Sequence, residues 1–336
     1  MRILMAMSGG VDSAAAATLL LRAAHTVTGC TMRLAGTERE EREIARAAAS
    51  AKKLGIPHRV LDLRGEFLQR VITPFAEAYR AGKTPNPCIF CNEAIKFGAF
   101  FDYAMTEGFE RIATGHYARI EDGRLMKAHD TTKDQSYVLY RLSRKVLEKT
   151  LFPLGGITKA EARAIAEEAG LAAARAEESQ DICFVPNGDY AAFLEELTGI
   201  PTPRGHYIDR EGKTLGEHAG ITHYTLGQHK GLGIALGRVR YVTHIDPLEN
   251  TVTLGDEEEL YRHEVRLLDL HLTGGERTEP FTATAKLRYR QREEAVTVYP
   301  DGDGVTLVFD TPQRAPTPGQ SAVLYEGEYV LGGGVI

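Results

Sequence analysis

The first part of the chain alternates short apolar runs with segments of helical periodicity. Apolar runs predict buried strands at residues 3–7, 26–34, 59–63 and 111–114, and the periodic segments predict helices at 14–21, 38–54 and 66–80. This β-α alternation is typical of a parallel sheet with crossover helices. Ligands of such sheets bind beyond the carboxyl ends of the strands, which groups the turn at 8–13 with Met32 and residues 114–116.

The pattern changes near Pro201, where short strand-like runs are separated by many glycines. This texture predicts a small β-rich domain. Beyond Leu260, alternating segments recur at regular spacing and predict an antiparallel β-barrel. We therefore expect three domains, at residues 1–195, 196–258 and 259–336.

Composition fits an ordinary globular protein. The chain has 336 residues, of which 43% are hydrophobic, and no apolar run reaches the roughly 20 residues of a membrane-spanning helix. The first residues form a strand-like run rather than a signal peptide, so we expect a cytoplasmic protein without a membrane partner. Four cysteines are too few for a disulfide scaffold.

The net charge is −6, so a nucleic-acid partner would require locally gathered basic residues. Four cations occupy every second position, and on one strand they would share a face that contacts phosphates. The alternative is a solvated strand partly neutralised by the two glutamates that follow. These cations are Lys286, Arg288, Arg290 and Arg292, and the glutamates are Glu293 and Glu294.

The turn at residues 8–13 reads Ser-Gly-Gly-Val-Asp-Ser and joins the first strand to the first helix. Backbone N–H groups at a helix N-terminus favour phosphate, and Gly9 and Gly10 carry no Cβ that would obstruct its approach. The Lys-Ser/Thr pair of a Walker P-loop is missing, so this is a different kind of anion site. An ordinary strand-to-helix turn is the alternative.

The cysteines suggest further chemistry. Cys91 precedes a helix predicted to begin at Glu93, and a helix N-terminus stabilises thiolate, which makes Cys91 a candidate nucleophile. With Cys88 it forms Cys-x-x-Cys, a pattern of redox or metal sites, although a zinc ribbon would need a second pair. Cys30 lies in an apolar strand and reads as a core thiol, and a buried structural role is one interpretation of Cys183.

The hexapeptide turn resembles the signature of the PP-loop ATP pyrophosphatase superfamily, whose members split ATP between its α and β phosphates. Further motifs, in order and spacing from residue 2 to residue 336, resemble the tRNA-specific 2-thiouridylase family. They are Thr-Pro-Asn-Pro-x-x-x-Cys-Asn at 84–92, Ala-Thr-Gly-His-Tyr at 113–117, Lys-Asp-Gln-Ser-Tyr at 133–137, Ile-Cys-Phe at 182–184, Thr-Leu-Gly-Gln-x-Lys-Gly-Leu-Gly at 225–233, Arg-Tyr-Arg-Gln at 288–291 and Thr-Pro-Gly-Gln-Ser-Ala at 317–322.

The resemblance implies an N-terminal α/β domain of the PP-loop, adenine nucleotide α-hydrolase-like class, then a small β-rich domain and an antiparallel barrel. It implies ATP as a cosubstrate, with Asp12 helping to hold Mg²⁺ and with Met32 and Gly115 near the adenosine. The residues that would bind the phosphates are Ala6, Met7, Ser8, Gly9, Gly10, Val11, Asp12 and Ser13.

The activity implied is 2-thiolation of the wobble uridine, U34, in tRNA. AMP is transferred to the uridine O2, which becomes a good leaving group. Cys183 corresponds to the family's persulfide carrier, whose terminal sulfur attacks C2. Cys91 corresponds to the second catalytic cysteine, which attacks the persulfide, releases sulfide and leaves a Cys91–Cys183 disulfide.

The family pattern also implies partners. These are tRNAs for Lys, Glu and Gln, and a persulfide donor such as a cysteine desulfurase or a sulfur relay protein. A wobble base must be splayed out to expose its C2, as loop bases readily are. The residues implied in tRNA contact are Asn86, Pro87 and Cys88 at the target base, His116, Lys133, Asp134 and Gln135 at the anticodon, and Arg288, Tyr289 and Gln320 from the barrel. For His116, a structural role is the alternative.

Three other interpretations stay open. Some family members carry Asp at the position of Cys88, and here Cys88, Cys91 and Cys183 could instead ligate a [4Fe–4S] cluster that binds sulfide. The second is a PP-loop ligase that adenylates a small molecule, which would have no use for the cysteines or for the four alternating cations at 286–292. A nucleic-acid-binding module with a structural metal is the third.

Overall fold

The computed structural model describes residues 1–175, 182–185, 188–273, 275 and 277–336. The chain divides into two compact units, each built from separate stretches of sequence. The first unit contains residues 1–72, 88–180 and 325–332, and the second contains 73–87, 181–324 and 333–336. Among the described residues, no helix is both long and apolar enough to span a bilayer.

The first unit is organised around a five-stranded parallel sheet. The strands of this sheet are β1 (Arg2–Ala6), β2 (Thr26–Arg33), β3 (His58–Asp62), β4 (Arg111–Ala113) and β7 (Thr150–Leu151). Between β4 and β7 in the chain, β5 (Arg119–Glu121) and β6 (Arg124–Met126) form a separate antiparallel hairpin. The sheet order is β3-β2-β1-β4-β7, with every neighbouring pair parallel. The order in which strands are added across the sheet reverses between β1 and β4, and such a switch point leaves a crevice at the carboxyl ends of the strands.

Within the described residues, the two units together contain nine α-helical segments. They are α1 (Val11–Arg22), α2 (Glu38–Leu54), α3 (Arg64–Phe67), α4 (Thr73–Arg80), α5 (Pro87–Cys91), α6 (Phe100–Thr106), α7 (Arg144–Leu147), α8 (Lys159–Glu168) and α9 (Tyr190–Thr198). π-helical turns at Leu68–Ile72 and Asn92–Ala99 join α3 to α4 and α5 to α6. The helix that follows the cysteine loop therefore begins at Pro87 rather than at Glu93.

Local sequence signals explain where helices begin and end. Thr37 accepts a hydrogen bond from the Glu40 N–H at 3.2 Å and caps α2, which ends at Gly55 in the left-handed conformation. Thr158 and Glu161 form a reciprocal capping box at the start of α8. At 133–140 the structure has a 3-10 turn at Ser136–Leu139.

The core of the first unit contains many small side chains. Ile3 and Met5 of β1 are fully buried, and the alanines of α1 lie in the same cluster as Ala162 and Ala166 of α8. Alanine brings few atoms to a contact, so α1 and α8 can approach closely. This packing places the first residue of α8 within reach of the first turn of α1.

The second unit contains two β structures, as the sequence predicted. The remaining strands of the chain are β8 (Gly205–Ile208), β9 (Thr214–His218), β10 (Tyr241–Asp246), β11 (Thr251–Gly255), β12 (Tyr261–Leu272), β13 (Phe281–Lys286), β14 (Glu294–Asp301), β15 (Gly304–Arg314), β16 (Ser321–Glu326) and β17 (Tyr329–Val335). Parts of β16 and β17 fall within residues 325–332, which belong to the first unit. The first four form a sheet in the order β10-β11-β8-β9, and β12-β15-β14-β13-β16-β17 close into a barrel through β12 and β17.

The prediction of a four-cation strand face is wrong. β13 ends at Lys286, and the three arginines that follow belong to the connection to β14. Lys286 lies 3.8 Å from Glu293, and Arg288 donates to the Ala315 carbonyl at 2.8 Å. The four cations would share a strand face only if the residues between them faced the core. Of those intervening residues, Leu287 is the last that is buried.

The β5–β6 hairpin of the first unit is joined by a late segment of the chain. Tyr329 pairs with Met126 across antiparallel strands, and the Lys127 N–H donates to the Glu328 carbonyl at 2.9 Å. Arg119 forms an ion pair with Glu328 at 2.8 Å, and the Tyr329 hydroxyl donates to Glu121 at 3.0 Å. Residues 325–332 are therefore an integral part of the first unit.

Candidate active site

The turn between β1 and α1 lies at the switch point of the sheet. Gly9 has φ +75°, and a Cβ there would overlap the Glu43 carbonyl oxygen, so the position requires glycine. The Ser13 hydroxyl accepts from the Ser8 N–H at 3.2 Å and donates to the Gly10 carbonyl at 3.1 Å. No side chain caps α1 at Gly10, so this N-terminus presents backbone donors suited to an anion.

Two other predicted nucleotide residues flank this turn. Gly115 follows β4, and a Cβ there would lie 3.0 Å from the Asp12 carbonyl carbon and from the Ser13 nitrogen. Glycine thus allows the backbone after β4 to pass directly against the first turn of α1. Met32 is half-buried near the end of β2. The structure places all ten predicted nucleotide residues in the first unit.

Asp12, in the first turn of α1, is held by two side chains that the sequence analysis did not select. Lys159 Nζ lies 2.7 Å from both carboxylate oxygens of Asp12, and the Tyr117 hydroxyl donates to Oδ1 at 2.7 Å. A signal existed for Lys159: it is the first residue of α8, where the helix dipole disfavours a cation. A lysine there therefore needs another partner.

Residues 133–135, which are predicted to contact the anticodon, include a residue that fixes the backbone of Tyr117. Gln135 exchanges two hydrogen bonds with the Tyr117 backbone, at 3.0 and 2.8 Å. Asp134 accepts from the Ala128 N–H at 2.9 Å and from the Ser136 hydroxyl at 2.8 Å. Lys133 is half-buried beside them. Contact of these residues with tRNA stays a prediction, and the described contacts show Asp134 and Gln135 fixing their own loop.

His116 is a buried residue in the first unit. Its ring packs against Phe97 and Phe152, with centroid distances of 5.8 and 6.0 Å, and its Nδ1 lies 2.8 Å from the Thr114 hydroxyl. Burial, aided by the nearby Lys96 cation, holds the pKa of His116 well below 6.5. The imidazole is therefore neutral at physiological pH. These contacts agree with the alternative interpretation, in which His116 has a structural role.

Cys91 does not occupy the thiolate-stabilising position expected of it. It is the last residue of α5, inside a continuous helix, and is only 8% exposed. Burial raises the pKa of Cys91 from 9.0 to about 11, while the Lys96 cation lowers it. Cys88, one turn earlier, is exposed. The inference from helix position failed because tertiary packing desolvates the sulfur.

The other two cysteines contrast with each other. Cys183 is exposed, which contradicts the interpretation that it is a buried structural thiol. The next residue, Phe184, is buried against Phe75 and Phe193 at centroid distances of 5.3 and 5.4 Å, and this contact anchors the short turn that carries Cys183. Cys30 is a core thiol as predicted, fully buried, and desolvation raises its pKa to about 12.

The residues predicted to contact tRNA from the second unit differ in their exposure. Arg288 donates to the Ala315 carbonyl and to the Thr317 hydroxyl, both at 2.8 Å, and Gln320 donates to the Thr84 carbonyl at 2.6 Å. Tyr289 is exposed, and Asn86 is half-buried. Pro87 is buried as the first residue of α5. Their contact with tRNA stays a prediction.

Within the described ranges, no group of three or more His, Cys, Asp or Glu side chains could hold a metal ion. Ligation of a [4Fe–4S] cluster by Cys88, Cys91 and Cys183 stays a prediction.

The two catalytic candidates should differ in reactivity toward a small alkylating agent. At pH 8, we expect iodoacetamide to modify Cys183 well before Cys91, because Cys183 is exposed and a pKa of about 11 leaves only about one Cys91 sulfur in a thousand ionised. The Cys91 rate should rise about tenfold per pH unit up to that pKa. Peptide mass spectrometry over time measures both rates. Protein unfolded in urea is the control, and equal rates in the folded protein would contradict the assigned burial.

Comparison with known proteins now assigns a class to this fold and turn. The first 187 residues match the family described as tRNA methyl transferase HUP domain, residues 191–256 the tRNA methyl transferase PRC-barrel domain, and residues 262–336 the Aminomethyltransferase beta-barrel domain. A HUP domain with a parallel sheet, a PRC barrel and a closed six-stranded barrel are thus joined in one chain.

Curated relatives match over the full length. Proteins named tRNA-specific 2-thiouridylase MnmA are 44% identical in Acetivibrio thermocellus, covering 100% of this chain and 99% of the relative, and 45% identical in Desulforudis audaxviator, covering 99% and 98%. The chain belongs to the tRNA-specific 2-thiouridylase family, which confirms the family resemblance of its motifs.

A solved structure is also similar, the U34-tRNA thiolase NcsA from Methanococcus maripaludis with its [4Fe-4S] cluster. It is 19% identical with a TM-score of 0.38, covering 60% of this chain and 65% of that chain. At this score the similarity carries no functional weight.

Proposed function

We propose that this protein catalyses ATP-dependent 2-thiolation of the wobble uridine of tRNA. The observation that carries the proposal is identity of about 44% along the whole chain to relatives named for tRNA-specific 2-thiouridylation. The geometry agrees with this chemistry, since an uncapped helix N-terminus lies at the switch point of a parallel sheet. A small-molecule ligase would share that turn but would need neither Cys91 nor Cys183.

ATP supplies an adenylyl group that turns the uridine O2 into a leaving group. The first turn of α1 fits the phosphates, because its backbone donors are not capped by a side chain and Gly10 adds no Cβ between them and a ligand. Asp12 provides carboxylate oxygens suited to Mg²⁺ at the same turn. Gly115 lets the backbone after β4 lie against this turn, where the adenosine would be bound.

Cys183 and Cys91 carry out the sulfur-transfer steps. Cys183 carries the persulfide, and its exposure suits loading by a cysteine desulfurase or a relay protein. The terminal sulfur forms a bond to C2 as AMP leaves. The Cys91 thiolate then attacks the Cys183 sulfur and breaks its bond to the transferred sulfur, which leaves a Cys91–Cys183 disulfide and frees the 2-thiouridine. Cys91 needs a lower pKa for this attack, and the Lys96 cation acts in that direction.

The tRNA substrates we propose are those for Lys, Glu and Gln, recognised through a splayed-out base in the anticodon loop. Asn86, Pro87 and Cys88 would contact that base, and the barrel residues Arg288, Tyr289 and Gln320 would contact the rest of the tRNA. Such an enzyme would work in the cytoplasm, where its tRNA and ATP are found.

A reconstituted reaction tests the proposal. Purified protein, tRNA transcript, ATP, cysteine and a cysteine desulfurase should give 2-thiouridine at position 34, with AMP and pyrophosphate formed in step, all measured by mass spectrometry and chromatography. A transcript with cytidine at position 34 is the matched control and should stay unmodified. If AMP is formed only with a small carboxylate or amide, the ligase alternative is correct.

A further inference from the structure

The contact between Lys159 and Asp12 links two helices whose starts are far apart in sequence. Lys159 Nζ lies 2.7 Å from each Asp12 carboxylate oxygen, and the lysine side chain is only 14% exposed, against 34% for Asp12. Both residues belong to the first unit. The cation therefore covers both oxygens of the carboxylate that lies in the first turn of the phosphate-binding helix.

The backbone that delivers this cation is fixed. The Lys159 N–H donates to Asp130 Oδ2 at 3.1 Å, and the preceding residue, Thr158, forms the capping box of α8 with Glu161. Ordering a long lysine side chain costs conformational entropy, and its charge opposes the helix dipole. The ion pair with Asp12 offsets these two unfavourable contributions.

The helix dipole favours an acidic group in the first turn of α1, but a bound phosphate would lie close to it. A triphosphate at the N-terminus of α1 would be repelled by a bare Asp12 carboxylate, and charges a few ångströms apart interact strongly near a protein surface. Neutralisation by Lys159 removes that repulsion. The same contact competes with a divalent cation, because the ammonium group already occupies lone pairs of both oxygens.

Tyr117 gives the carboxylate a second, uncharged partner. Its hydroxyl donates to Asp12 Oδ1 at 2.7 Å, and Gln135 holds its backbone with two hydrogen bonds. The Tyr117 contact can persist when the cation at Asp12 is exchanged. Asp12 thus keeps its orientation while its counterion changes.

We propose that Lys159 competes with a divalent cation for Asp12, and that the ammonium displaced from Asp12 binds the phosphates of ATP. Lys159 is then both a counterion for Asp12 and a nucleotide-binding residue. This inference rests on the proposed function, in which the turn binds Mg²⁺ and ATP.

The competition is tested with Mn²⁺ and the protein alone. Lys159→Met exposes Asp12, so we expect Mn²⁺ to bind at least about tenfold more tightly than in the wild type, measured by electron paramagnetic resonance of free Mn²⁺. Adding Asp12→Asn should remove the gain. Arg163→Met is the matched control, since Arg163 is on the same helix and contacts the Ala174 carbonyl, and it should stay within about twofold of the wild type.

ATP binding tests the second half. By equilibrium dialysis with Mg²⁺, Lys159→Met should lose about tenfold or more in ATP affinity, as expected for a charged hydrogen bond to phosphate, and Lys159→Gln should repeat the loss if the methionine variant folds poorly. Unchanged Mn²⁺ affinity or unchanged ATP affinity in the neutral variants would overturn the inference. Failure of the wild type to bind ATP would instead overturn the proposed function, and the Mn²⁺ measurement would still decide the competition.

Discussion

Replacing Cys183 with serine is expected to abolish 2-thiouridine formation, by at least roughly a thousandfold, because serine cannot carry a persulfide. Cys91→Ser should give the same loss if its thiolate is required to release the sulfur. The measurement is the 2-thiouridine content of tRNA from a thiolation-deficient host that expresses each variant. ATP binding should be retained by both, since neither cysteine belongs to the turn at residues 8–13.

Cys30→Ala is the matched control for these variants. Cys30 is a fully buried thiol of β2, so its loss should cost some stability and leave thiolation in place. Cys88→Asp separates the two sulfur mechanisms, because a persulfide route should tolerate aspartate and a three-cysteine cluster should not. Restoration of 2-thiouridine by either Cys91→Ser or Cys183→Ser would refute the assigned roles.

Asp12→Ala should lower the rate of adenylation about a hundredfold or more while leaving tRNA binding within about twofold of the wild type. The carboxylate lies in the first turn of α1, and removing one preorganised electrostatic group from such a site costs about a hundredfold or more in rate. ATP–pyrophosphate exchange in the presence of tRNA measures adenylation, and a filter assay without ATP measures tRNA binding.

Asp12→Asn controls for loss of the side chain itself. The amide can still accept the Tyr117 hydrogen bond but cannot pair with Lys159, so it should fold like the wild type and adenylate as poorly as the alanine variant. If tRNA binding falls as far as adenylation in both variants, the turn does more than hold the nucleotide.

Much of the first unit could be predicted from sequence because its signals are local. The helix predicted at residues 38–54 is α2, since Thr37 and Gly55 encode its two ends next to it in the chain. The turn at 8–13 was likewise found from adjacent residues. The four alternating cations were also a local pattern, but the prediction of a shared strand face was wrong because the strand ends at Lys286.

The contacts that determine chemistry were not available from local patterns. Lys159 and Asp12 are 147 residues apart, and only the packing of α8 on α1 brings them together. Cys91 shows the same limit, because its neighbours in sequence predict a lowered pKa and its burial raises it to about 11. Desolvation depends on the whole core, which no short motif records.

The segment at 325–332 has a consequence for biosynthesis. The ribosome delivers the chain from the N-terminus, and domains generally fold as units once their residues have emerged. Here the β5–β6 hairpin must wait for Glu328 and Tyr329, which are translated after nearly all of the second unit. The nucleotide-binding unit is therefore begun first and completed last, and its hairpin keeps an open edge during synthesis.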